Sequence, residues 1–166
     1  MAKDIYNRKE YSIAEIAYLA GIIDGEGCIY IGNHSCNAET GDKYFQTIMK
    51  VTSTDKCLID WLQKIFGGLV KEYTPNQTPE NSRKPAWFWQ ASGERLTHLC
   101  ELLIPYAIIK KTELEIMLRM RNTYQGVTQK GKYGIQRNSQ ELLNLRQFLM
   151  DQIRALHVRN YSYKKD

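Results

Sequence analysis

Leu19-Ala20-Gly21-Ile22-Ile23-Asp24-Gly25-Glu26-Gly27 is the stretch on which the reading of this chain turns. It reads as the end of an amphipathic helix. Ser12 followed by Glu15 makes a capping box that starts the helix near Ile13. Ile13, Ile16, Leu19 or Ala20, and Ile23 then recur at helical spacing, and Gly25 and Gly27 are expected to stop the run. The last turn carries Asp24 and Glu26, where the macrodipole is already negative and each carboxylate costs ~0.3–1 kcal/mol. A divalent cation is the simplest candidate to offset that cost. Ala14, Ala17, Gly21 and Gly25 form a small-residue stripe at spacings of three and four, which lets a second helix backbone come close.

Beyond this helix the chain bounds its own class. Its 166 residues suit one domain, read here as 1–166, with a core over about 12–124 and a basic loop and helix over 125–166. No apolar run approaches the ~20 residues of a membrane span, and the mixed charges of Met1 to Tyr11 do not make a signal peptide. Cys28, Cys36, Cys57 and Cys100 lack paired spacing, and His34, His98 and His157 are scattered. Zinc and a disulfide framework are therefore not expected, and free thiols suit an intracellular, reducing setting, either a bacterial or archaeal cytoplasm or the inside of an organelle. Net charge is +5, and the window from Lys110 to Arg137 holds seven basic residues against two acidic ones. A polyanion partner fits that distribution.

The pattern predicts strands over Cys28 to Asn33 and Lys43 to Thr52, the second alternating Phe45, Thr47, Met49 and Val51 inward against Tyr44, Gln46, Ile48 and Lys50 outward. A helix from about Asp55 to Phe66 ends at Gly67-Gly68. Strands follow over Leu69 to Tyr73 and Ala86 to Ala91, joined by a proline-rich loop. Helices then run over Gly93 to Ile104, Lys111 to Tyr124 and from Ser139 to about Asn160, the last with Leu142, Leu143, Leu145, Leu149, Ile153 and Leu156 as its apolar positions. The fold class is α+β in the order α-β-β-α-β-β-α with extra C-terminal helices. Two hairpins join into a four-stranded antiparallel sheet, with helices on one face. The exposed face of such a sheet can enter a major groove. Its candidates for DNA contact are Tyr30, His34, Tyr44, Gln46, Ile48, Lys50, Lys71, Tyr73 and Gln90, with Arg83, Lys84, Lys130, Lys132 and Arg137 placed to meet phosphates.

The nine opening residues resemble the motif that names the LAGLIDADG homing endonucleases. Six of nine positions are identical, and Ile22, Gly25 and Glu26 are conservative variants. The element order is similar to that of a single LAGLIDADG domain. The resemblance implies a homodimer through the motif helices, with Ala14, Ala17, Gly21, Asp24 and Gly25 in the interface. It implies a site-specific endonuclease, commonly intron-encoded, that uses Mg²⁺ (Mn²⁺ or Ca²⁺ can substitute) to cut both strands of a long, near-palindromic double-stranded DNA target. An RNA maturase or a non-cleaving DNA-binding protein of the same fold is the alternative. By the same resemblance Glu26 and the Gly25 carbonyl hold metal, Lys110 reaches the active site, Ser53 and Lys56 organise water, and Asp24 is a structural acid. The acid at position 26 is Glu where Asp is usual, and Cys57 stands where a basic residue is often found.

Overall fold

The computed structural model describes residues 10–35, 43–73, 84–124 and 139–158. Arg83, Lys130, Lys132 and Arg137 lie outside them. The elements run α1 (Ile13–Glu26), β1 (Gly27–Ser35), β2 (Lys43–Ser53), α2 (Lys56–Phe66), β3 (Leu69–Tyr73), β4 (Ala86–Ala91), α3 (Gly93–Leu103), α4 (Lys111–Asn122) and α5 (Gln140–His157). The sheet is four-stranded in the order β1-β2-β4-β3, with every neighbouring pair antiparallel. The helices cover one face, because alternation in the strands sends Ile29, Ile31, Phe45, Met49, Val51, Trp89 and Ala91 to that side, all buried. Against them pack Leu19 and Ile23 of α1, Ile59, Leu62 and Phe66 of α2, and Leu96, Leu99 and Leu103 of α3. Leu114, Met117 and Met120 of α4 and Leu149, Met150 and Ile153 of α5 extend the same core. No helix among the described residues is long and apolar enough to cross a membrane.

Local chemistry explains the element ends. Ser12 Oγ accepts the Glu15 amide at 3.2 Å, while Glu15 Oε2 accepts the Ser12 amide at 2.8 Å, completing the expected capping box. Asp55 caps α2 by accepting the Cys57 amide at 2.8 Å. Gly67 and Gly68 then adopt φ of 65° and 104°, a region closed to most side chains, and Trp89 Nε1 donates to the Gly67 carbonyl at 2.5 Å. That bond fastens the α2 exit to β4 and lets a tryptophan be wholly buried.

Three expectations need correction. Gly25 does not stop α1, which runs on to Glu26. Gly27 ends it in an extended conformation, φ −73° and ψ 144°, where a side chain would collide with the Ile23 backbone. Ile13 is 70% exposed, so the buried stripe of α1 is Ile16, Leu19, Ala20 and Ile23. In α5, Leu145 and Leu156 face outward and Leu142 and Leu143 are half-buried, while Arg146 is buried instead. Leucine-rich periodicity does not say which stripe of a terminal helix meets the body. Cys28 and Cys57 are exposed free thiols, and burial pushes the free thiol of Cys100 up to about 12.

Candidate active site and nucleic-acid interface

The site begins where α1 passes into β1 without a loop, so that Asp24, Gly25 and Glu26 sit at one end of the sheet. Gly27 pairs with Val51 across β1 and β2, and Ser53 closes β2 at the same end. The two carboxylates of α1 have different surroundings. Asp24 Oδ2 accepts the Ile108 amide at 2.8 Å and its Oδ1 the Lys110 amide at 2.9 Å. Lys110 Nζ donates back to the Asp24 carbonyl at 3.3 Å, satisfying a carbonyl of the last helical turn. Amides and an ammonium of the 108–110 turn, rather than a cation from solution, thus offset the charge of Asp24 at the negative helix end. Burial pushes the Asp24 carboxyl up, but the amides of Ile108, Lys110 and Ile109 and the Lys110 charge outweigh it and leave the group below the usual carboxylate range. Pro105 and the turn after it bring Lys110 here, as the first cap of α4.

Glu26 is exposed, and its carboxylate has no hydrogen-bond or ion-pair partner among the described residues. Its oxygens stand at the helix end beside Gly25, which is likewise exposed. Within one chain they do not make a cage: among the described residues, no three His, Cys, Asp or Glu side chains gather around a common point. Magnesium is commonly held by one or two carboxylates, waters and phosphate oxygens, so a single acid per chain fits that ion.

Ser53 and Lys56 are already engaged. Ser53 Oγ accepts the Asp55 amide at 3.0 Å and shapes the turn into α2. Lys56 Nζ lies 2.6 Å from Asp60 in a half-exposed pair one turn along the helix.

The register puts every strand residue proposed for DNA contact on one face. Tyr30 opposes Ile48, His34 opposes Tyr44, and Gln46 opposes Gly32. Lys50 opposes Gln90, which opposes Leu69, and Lys71 and Tyr73 follow on β3. Tyr30, Tyr44 and Tyr73 are exposed, and His34 Nε2 lies 3.2 Å from Gln46 Oε1. Lys84 is exposed just before β4. Among the described strand residues of this face there is no carboxylate. Sequence reasoning passed over Cys28, Thr52 and Phe88, which share the face; Phe88 was the legible one, because it alternates with the inward Trp87 and Trp89. Of the basic window, Arg121 turns inward, donating to Thr97 Oγ1 at 3.2 Å and Thr47 Oγ1 at 3.3 Å. It ties α4 to α3 and β2 and is not free for a polyanion.

The α1 stripe is open. Ala14, Ala17, Gly21 and Gly25 are exposed, and a Cβ added at Gly21 or Gly25 would meet nothing within 4 Å. Asp24 faces its own chain.

Among solved structures the chain is similar to the homing endonuclease I-CvuI in complex with DNA in the presence of Mg²⁺, with a TM-score of 0.68 and 19% identity over 89% of this chain and 85% of that one. It is similar to the archaeal intron-encoded homing endonuclease I-Vdi141I complexed with DNA, with a TM-score of 0.54 and 11% identity over 86% and 98%. It also matches the LAGLIDADG homing endonuclease I-LtrWI bound to target DNA, with a TM-score of 0.61 and 17% identity over 89% of this chain and 47% of that one. No family model matches the sequence, and no curated protein matches it significantly. The α+β fold with its four-stranded sheet is therefore that of the LAGLIDADG homing endonucleases. The match spans about half of I-LtrWI but most of I-CvuI and I-Vdi141I.

Proposed function

We propose that this chain is a LAGLIDADG homing endonuclease: a homodimer that makes a metal-dependent double-strand break in a long, near-palindromic DNA site. One observation carries the reading. At the end of α1 an exposed Glu26, unpartnered among the described residues, stands two residues from Asp24, whose carboxylate accepts the Lys110 amide and so anchors that lysine. The fold adds a sheet face free of carboxylates along its described strands, suited to the negative duplex. The open stripe on α1 supports a second copy. Two such helices crossing at Gly21 and Gly25 would bring two Glu26 side chains to the same end of two sheets, and a two-fold dimer reads a two-fold target. Two copies also match the length of I-LtrWI.

In this arrangement Glu26 and the Gly25 carbonyl would hold Mg²⁺. When bound, the ion supplies charge neutralisation and an acidified water. The Lys110 ammonium stabilises charge that develops on the phosphate, and Asp24 keeps that ammonium in place without spending it on an ion pair. The sheet fixes the duplex over this end.

A library of randomised duplexes, incubated with protein in Mg²⁺ or in EDTA and sequenced at the cut ends, tests the reading. Cleavage at one family of near-palindromic sites in Mg²⁺ alone is expected. Glu26→Gln is expected to bind the selected site within a few-fold of wild type and to leave it uncut. Binding by wild type without cleavage in Mg²⁺ would sink the nuclease reading, and cutting by Glu26→Gln would remove Glu26 from its role.

A further inference from the structure

We propose that Phe88 is a specificity-determining positioning residue: its ring captures the Lys50 ammonium on the outer sheet face and so sets where that lysine meets the base edges of the duplex. The inference rests on the reading of this face as the DNA surface. Lys50 Nζ lies 4.0 Å from the centroid of the Phe88 ring. The contact is diagonal, because Lys50 pairs with Gln90 while Phe88 pairs with Thr52 on one side and Lys71 on the other. Diagonal neighbours on one face are within reach of aromatic and long side chains.

Phe88 has no part in the hydrophobic core. Trp87 and Trp89 on either side pack into it, whereas the Phe88 ring stands on the opposite face. A strand tolerates an outward aromatic for its β propensity alone, but here the ring carries a specific load. Lysine is a point charge on a flexible stem with large rotamer entropy, so an unrestrained Lys50 would meet any nearby acceptor. A carboxylate could restrain it, at the cost of cancelling its charge and repelling phosphates. An aromatic face restrains it while leaving the charge and the N–H donors turned away from the ring available for guanine O6 and N7. The absence of carboxylates among the described strand residues of this face fits that solution.

Phe88→Leu keeps an apolar side chain and removes the π-face; Phe88→Tyr keeps both. In the free protein, wild type and Phe88→Tyr are expected to show the Lys50 ε-methylene protons shifted upfield by the ring current, and Phe88→Leu is expected to lose the shift. On a target library, Lys50→Met identifies the base pair that Lys50 reads. Phe88→Leu is expected to reduce discrimination there about two- to fivefold, with the thermal midpoint and the salt dependence of binding unchanged. In the Lys50→Met background it is expected to add nothing. An unshifted Lys50 signal in wild type, an unchanged preference in Phe88→Leu, or an equal change in the Lys50→Met background overturns the proposal. Failure of wild type to bind any duplex overturns the DNA reading of the face, and the specificity role with it, while the NMR measurement judges the Lys50 contact by itself.

Discussion

Asp24 and Glu26 lie two residues apart at the same helix end, and their surroundings divide their work. Asp24 receives amides from 84 and 86 residues further along the chain. Its carboxyl is held below the ordinary carboxylate value of ~3.9, so it contributes stability that is fully present above that pH and is lost as pH falls through the folded value. Asp24→Asn retains one acceptor oxygen and turns an NH₂ toward a backbone N–H. Denaturation of both proteins at pH 7 should show the variant less stable by about 1–3 kcal/mol, the range for losing a charge-assisted bond and stranding its donor. As pH falls below the ordinary carboxylate value the gap should shrink, because the unfolded wild type then takes up a proton that the folded carboxylate resists; a gap of unchanged size through that range would contradict the assignment. Cleavage should slow in the variant, since Lys110 loses its anchor. The sequence showed the two carboxylates and their electrostatic cost. It could not show that the cost of one is offset by a distant turn, because nothing local to Asp24 encodes residues 108–110.

At the scale of elements, α1 makes two opposing demands on Gly21. In a lone chain the glycine is a liability of roughly 1 kcal/mol against alanine, and a Cβ there would meet nothing within 4 Å. Gly21→Ala should therefore stabilise the isolated chain, or leave it unharmed, as read by circular dichroism at low protein concentration. Sedimentation should show the same substitution weakening the proposed dimer, because the added methyl would stand where the second backbone approaches. A variant that dimerises as tightly as wild type would show that this stripe is not the interface. The faces of α1, β2, α2 and β4 were legible from periodicity, since a helix repeats near 3.6 residues and a strand at two. Ile13 was misread because periodicity extends a stripe through a helix's first turn whether or not anything packs over that turn. Gly25 was misread because the helix runs through it; the glycine that ends α1 is Gly27, which leaves in extended backbone and is a glycine because a Cβ there would meet the Ile23 backbone.

For the molecule as a whole, the sheet and the net charge of +5 predict how the proposed nuclease would meet DNA. Affinity for the selected target should fall linearly on a logarithmic salt scale, with the slope counting the phosphates contacted. Cleavage at low enzyme concentration should rise with the square of protein concentration if two chains assemble the centre. A salt-independent affinity, or strictly first-order dependence well below the dimer constant, would argue against this assembly. The residues that brace the molecule were the hardest to see in advance. Arg146 is buried, donating to Thr123 and stacking 4.0 Å from the Tyr124 ring, and Tyr124 OH donates to the Phe45 carbonyl at 2.7 Å. Arg121 was counted in the basic window, and nothing local to Arg146 marks it for burial.

The sequence by itself determined the order of elements, the inward and outward faces of the strands, the capped start of α1 and the nine-residue signature at its end, because these depend on neighbours within a few residues. The tertiary structure decided that β2 pairs with β4, that Asp24 anchors Lys110, that Arg121 turns inward, and that Phe88 holds Lys50. Each of those joins groups far apart along the chain, and pairing at a distance is set by how whole layers pack rather than by any local propensity.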